Sequence, residues 1–149
     1  MYQPKVFIGS STDALEIAKS VKKGLVMRGC GDVQIWNQGV FGLGRGFLET
    51  LLDAVKKYDF AVLVWSAADA VNSNAGIQNV PRDNVVFETG LFMGAMGRDR
   101  VFVVYDEIAE LKLPSDFNGI TLAGYNGQGP KAAVMSDAGL TNGGFYAHF

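Results

Sequence analysis

Cysteine and histidine are almost absent from this chain of 149 residues: Cys30 is the one thiol and His148, next to the end, the one imidazole. A lone cysteine makes no internal disulfide, and so few soft ligands argue against a zinc cluster or a Cys–His nucleophile pair. Charge is also sparse, at 19% of residues, and nearly balanced, with 13 basic against 15 acidic side chains and a net charge of −2. That excludes nucleic-acid binding by bulk charge, which needs a basic face to release counterions. It excludes a disordered tail as well, since 48% of the residues are apolar. Long hydrophobic runs are missing: the strongest is Phe60-Ala61-Val62-Leu63-Val64-Trp65, far short of the ~20 residues that span a bilayer. The N-terminus enters a strand-like run almost at once, with no signal peptide in view. The expectation is one cytoplasmic domain without membrane or nucleic-acid partners, as domains cluster at about 100–150 residues.

What is abundant is glycine, 19 residues gathered between apolar segments. Lys5-Val6-Phe7-Ile8 reads as a buried strand ended by Gly9-Ser10-Ser11-Thr12. Asp13-Ala14-Leu15-Glu16 has capping-box spacing, and Ala14, Ile17, Ala18, Val21 and Leu25 follow on one helical face, closed by Gly29 and Gly31. Val33–Trp36 predicts a second strand, and a glycine-rich loop follows from Asn37 to Gly46. Leu48, Leu51, Leu52 and Val55 predict a helix whose last turn carries Lys56 and Lys57, suiting the negative end of its dipole. Asp59–Trp65 has the unbroken apolar text of a central strand. After a polar stretch, Asn72–Gln78, the segment Asn84–Met96 predicts a helix apolar on nearly every side, hence buried. Arg100–Tyr105 and Ile120–Ala123 complete a set of about five strands, and Asn126–Gly129 reads as a linker. Strands alternating with helices over short connections predict a parallel α/β sheet with helices on both faces. Ligands then bind beyond the carboxyl ends of the strands.

The candidate chemistry lies at those ends. Gly9-Ser10-Ser11-Thr12 joins a strand to a helix N-terminus, where free N–H groups suit a phosphate; an ordinary strand-to-helix turn has the same spacing. Gly42-Leu43-Gly44-Arg45-Gly46 lacks the Lys-Ser/Thr of a P-loop and follows the wrong strand for a dinucleotide fingerprint. A mobile binding loop suits it better, with Phe41 and Phe47 at its flanks either covering a planar ring or packing in the core. Glu88 stands out as a carboxylate inside Val85-Val86-Phe87-Glu88-Thr89-Gly90-Leu91-Phe92, the most apolar helix in the chain. Charged groups are almost never buried without a partner, so Glu88 either pairs structurally, with Arg82 the candidate and Asn84 one turn back, or faces a cleft. A lone carboxylate suits the stabilisation of a cationic transition state better than a two-carboxylate acid/base scheme.

Four blocks, taken in order, carry a resemblance: Lys5–Ser11, Trp36–Phe41, Pro81-Arg82-Asp83-Asn84-Val85-Val86-Phe87-Glu88 with its continuation to Phe92, and Leu113–Ile120. Together they resemble the bacterial TIR-like domains of cyclic-nucleotide anti-phage defence systems, over roughly residues 5–125. The resemblance implies a flavodoxin-like TIR fold and an NAD+ glycohydrolase whose catalytic glutamate follows the third strand, the position of Glu88. Such domains often carry Trp three residues before that glutamate, where this chain has Val85. The resemblance further implies that Gly9, Ser10 and Ser11 hold phosphate or ribose and that Phe7, Trp36 or Phe41 stack on a ring. Arg82, with Asp83 and Asn84, would contact substrate or orient Glu88, and Asp116 would complete the pocket wall. NAD+ is then the substrate, and neither cofactor nor metal is called for.

The tail, Ala138-Gly139-Leu140 and Gly143–Phe149, resembles the first helix of a STING-type cyclic-dinucleotide sensor. Residues 1–125 would then be the NAD-cleaving domain, and 126–149 a linker and the start of the sensor. The implied partners are a cyclic dinucleotide, bound through the attached sensor, and further copies of the chain in a filament or cluster. Two other readings stay open: a non-enzymatic TIR adaptor acting by self-association, and an enzyme like the nucleoside 2-deoxyribosyltransferases.

Overall fold

A computed structural model of the chain describes residues 3–37, 46–66, 69–73, 76–80, 83–106, 111 and 121–125. The apolar runs become strands β1 (Lys5–Ser10), β2 (Asp32–Asn37) and β3 (Phe60–Trp65), with helices α1 (Leu15–Met27) and α2 (Phe47–Ala54) between them. A hairpin of β4 (Asp69–Ser73) and β5 (Gly76–Val80) precedes α3 (Asp83–Met96), β6 (Val101–Asp106) and β7 (Thr121–Tyr125). Five strands form one parallel sheet in the order β2-β1-β3-β6-β7. This is the doubly wound, flavodoxin-like arrangement.

The two-residue period of a strand sorts the core into two layers. Val6, Ile8, Val62, Val64, Phe102 and Val104 pack with Ala18, Val21 and Leu25 of α1 on one face. Phe7, Ala61, Leu63, Trp65 and Val103 pack with Leu51 and Ala54 of α2 and Val85 and Phe92 of α3 on the other. Every residue of β3 is buried, as a central strand covered on both faces requires. Burying each such large apolar side chain contributes about 1.5–3 kcal/mol, which is why the most apolar strand takes the middle of the sheet.

Several local expectations are corrected. α1 has no side-chain N-cap: Ala14 holds the cap position, and Asp13 lies in a 3-10 turn, Thr12–Ala14, before the helix. At its other end Gly29, at φ +69°, donates to Val26 O at 3.0 Å while Cys30 N donates to Leu25 O at 3.1 Å. This paired closure favours glycine in the left-handed position. α2 stops at Ala54, so Lys56 and Lys57 lie in the turn beyond it rather than in its last turn. α3 is not buried all round: Val85, Glu88, Thr89 and Phe92 are inside, whereas Phe87 is 54% exposed. The hairpin was not legible, because its short strands, Asp69–Ser73 and Gly76–Val80, are joined by antiparallel main-chain pairing rather than by apolar alternation.

Candidate functional site

β1 lies between β2 and β3, so the chain leaves its carboxyl end in one direction and returns on the other side. At such a switch point the connections diverge and a crevice opens. The side chains lining it follow from register. Gly9 is paired with Trp36 on β2 and with Leu63 on β3, and paired residues of a parallel sheet point to the same face. A row of large side chains thus has a gap at its centre. A Cβ placed on Gly9 would stand 2.8 Å from Leu63 Cδ1 and Phe7 Cε1, and 2.9 Å from Glu88 Oε2. The space a side chain would fill is held by the Glu88 carboxylate, delivered from α3 above. Glu88 is only 4% exposed.

The aromatic residues form one wall of this seat. Trp36 Nε1 donates to Tyr58 OH at 2.7 Å, and Tyr58 OH donates to Gln34 Oε1 at 2.5 Å. The Trp36 and Tyr58 rings meet edge to face, with centroids 6.0 Å apart. Phe7 lies beneath, 5.5 Å from Trp36, 5.4 Å from Tyr58 and 4.4 Å from Phe92 between ring centroids. Phe7 was a candidate for stacking on a ligand ring; at 1% exposure it is instead enclosed by protein rings. Trp36 is half-buried and borders the crevice. Burial pushes the Tyr58 hydroxyl above its ordinary pKa of 10.0, against the lowering effect of the bond from Trp36.

Ser10 and Ser11 follow Gly9 directly and are 3% and 2% exposed, yet neither hydroxyl has a hydrogen-bond partner among the described residues. Buried polar atoms are nearly always paired, so two orphans in succession mark a place where a polar group is wanted. By the alternation of β1, Ser10 belongs to the α1 face with Val6 and Ile8, opposite Gly9. The structure therefore gathers Glu88, Gly9 and Trp36 on one side of the sheet and sets Ser10 at its other side, at the same strand end. Phe41, Arg82 and Asp116 lie outside the described residues. Asp83 and Asn84 form the first turn of α3.

Sequence reading missed Thr89 and Trp65. Trp65 Nε1 donates to Thr89 Oγ1 at 3.1 Å, and that hydroxyl donates to Val85 O at 2.7 Å. Both residues are fully buried. The signal available was a threonine in the middle of an apolar helix, where an apolar residue would serve packing better.

A flavodoxin-like sheet alone does not decide function. The family model for the TIR domain of CAP12/Pycsar effector proteins matches residues 5–127. This chain belongs to that family. The TIR domain is 40% identical over 120 residues to the Pycsar effector protein PaPycTIR of Pseudomonas aeruginosa, covering 80% of this chain and 39% of that protein. It is 38% identical over 143 residues to CD-NTase-associated protein 12 of Niabella drilacis, covering 93% and 44%. The chain thus spans less than half the length of these relatives. Among solved structures it is similar in fold to the diflavin flavoprotein A3 of Nostoc sp., with a TM-score of 0.51 at 13% identity, over 99% of this chain and 96% of that one. No helix among the described residues is long and apolar enough to cross a membrane.

Proposed function

We propose that this TIR domain is an NAD+ glycohydrolase that releases nicotinamide, with Glu88 as its catalytic residue. The observation that carries the reading is the Glu88 carboxylate, seated over Gly9 at the switch point of the sheet. Nicotinamide in NAD+ is already a cationic leaving group. Its bond to the ribose breaks with the electron pair passing to the ring nitrogen, so no acid is needed. The ribose left behind is oxocarbenium-like, and water completes the cleavage, giving ADP-ribose and a proton. A preoriented carboxylate in a site that excludes water stabilises that developing positive charge far better than solvent does. The orphan hydroxyls of Ser10 and Ser11 suit phosphate or ribose oxygens, and Trp36 offers a ring face at the same strand ends. Gly9, Asp83, Asn84, Arg82, Phe41 and Asp116 complete the proposed substrate contacts.

In the cell this domain would be the effector portion of a cytoplasmic anti-phage defence protein. Its relatives' names, CD-NTase-associated protein 12 and Pycsar effector, support a cyclic-nucleotide signalling context. An attached sensor, of the STING type suggested by the tail, would bind a cyclic dinucleotide and drive self-association. NAD+ depletion would follow.

Glu88→Gln tests the reading, since it keeps side-chain volume and removes only the charge. The expected result is a fall in nicotinamide release of at least about 10²–10³-fold with an unchanged melting temperature. A variant that melts like wild type and still releases nicotinamide at a comparable rate would falsify the assignment. Wild-type protein that assembles but cleaves no NAD+ would favour an adaptor, and cleavage of deoxynucleosides a deoxyribosyltransferase-like enzyme.

A further inference from the structure

α3 presents a problem of rotation. Its residues Val85, Val86, Phe87, Gly90, Leu91, Phe92, Met93, Gly94, Ala95 and Met96 are apolar on nearly every side, so burial alone distinguishes poorly between one face and another. The face turned inward is not even the most apolar. It is Val85, Glu88, Thr89 and Phe92, two of them polar, while Phe87 stays 54% exposed. Turning the helix by one residue, about 100°, would exchange Phe87 for Glu88. A directional contact is needed to hold the observed rotation, because hydrophobic attraction has no direction. The Trp65–Thr89 bond has that character. It runs from a fully buried indole at the carboxyl end of β3 to the residue next to Glu88, and the hydroxyl it reaches is anchored in turn to Val85 O. Sliding or turning α3 would strand the indole N–H in the core, while the hydroxyl kept only its bond to Val85 O within the helix, and satisfied buried networks specify one arrangement for this reason.

We propose that Thr89 and Trp65 are positioning residues: their hydrogen bond sets the rotation of α3 over β3 and thereby keeps the Glu88 carboxylate in the gap above Gly9. Its effect on catalysis rests on the reading of Glu88 given above; its effect on geometry does not. Three variants separate the contact from mere packing. Thr89→Val is nearly isosteric and deletes the hydroxyl, Trp65→Phe deletes the indole N–H, and Thr89→Ser keeps the hydroxyl.

Each variant is read by thermal melting, by kcat and KM for NAD+, and by the NMR cross-peak between Gly9 Hα and the Glu88 side-chain methylenes in the unliganded protein. The cross-peak is expected to disappear in Thr89→Val and Trp65→Phe and to return in Thr89→Ser. Over the same set kcat is expected to fall about 10- to 100-fold, the scale of a small misplacement of a catalytic group, with KM little changed and activity recovered in Thr89→Ser. A cross-peak and a kcat both preserved in Thr89→Val, with only the melting temperature lowered, would overturn the proposal. So would a kcat lost while the cross-peak persists. A cross-peak lost with kcat intact supports the positioning and counts against Glu88 as the catalytic group, an outcome that Glu88→Gln checks independently. Should Trp65→Phe fail to fold, the two Thr89 variants decide alone.

Discussion

Gly9 shows how one missing side chain can shape a site. Its backbone is ordinary extended strand; what matters is the absence of a Cβ, since three groups already lie within 2.9 Å of where it would stand. Leu63 and Phe7 are held by the core, whereas the tip of Glu88 is the end of a flexible chain and is the group that must yield. Gly9→Ala is therefore expected to expel the carboxylate, lowering NAD+ cleavage by about 100-fold and stability by about 1–3 kcal/mol from overpacking. Kinetics and melting on one preparation check both, and an alanine variant with wild-type turnover would show that the carboxylate needs no such gap. That Glu88 is enclosed was legible in the sequence, because it sits inside the most apolar helix of the chain. Gly9 was legible only as part of a turn. Its pairing with Trp36 and Leu63 depends on strand register, which no local pattern reveals.

At the level of elements, the alternation of apolar runs and helical stripes was enough to predict the five parallel strands and three helices. Strand ends shifted by one or two residues, because β1, for example, continues pairing through Gly9 and Ser10 after its apolar text has ended. The small β4–β5 hairpin escaped notice for want of any apolar period. The link from β2 to the turn before β3 escaped too, since Gln34, Trp36 and Tyr58 are joined by side-chain bonds across more than twenty residues. That link has a pH signature. Burial raises the Tyr58 hydroxyl above 10.0, and burial likewise raises the Cys30 thiol above its ordinary 9.0 despite the lowering effect of Arg28. In each case the folded state favours the protonated form, so the stabilisation is complete at neutral pH and is lost as pH climbs past these ordinary values. Denaturant midpoints are expected to fall between about pH 9 and 11. The fall should be shallower in Tyr58→Phe, whose midpoint at neutral pH is lower by the loss of two bonds worth about 1 kcal/mol each. Parallel alkaline slopes in the two proteins would remove Tyr58 from this account.

For the molecule as a whole, the proposed catalytic carboxylate is 4% exposed, so a ribose as large as that of NAD+ reaches it only after its surroundings rearrange. Ordering a new arrangement costs conformational entropy that a neighbouring copy can offset. Specific NAD+ cleavage by the domain is accordingly expected to rise with protein concentration or crowding agents. A flat specific activity from nanomolar to high micromolar protein would count against activation by association. The chain also carries its own optical reporter of such a rearrangement. Its two tryptophans, Trp36 and Trp65, lie near the carboxyl ends of the strands on either side of β1, one half-buried and one fully enclosed, each with its indole N–H engaged by a different partner. Their emission must differ in colour and in access to a quencher. Opening of the crevice would then be visible in intrinsic fluorescence, without a dye, a tag or a substrate analogue, and assignable to one wall or the other.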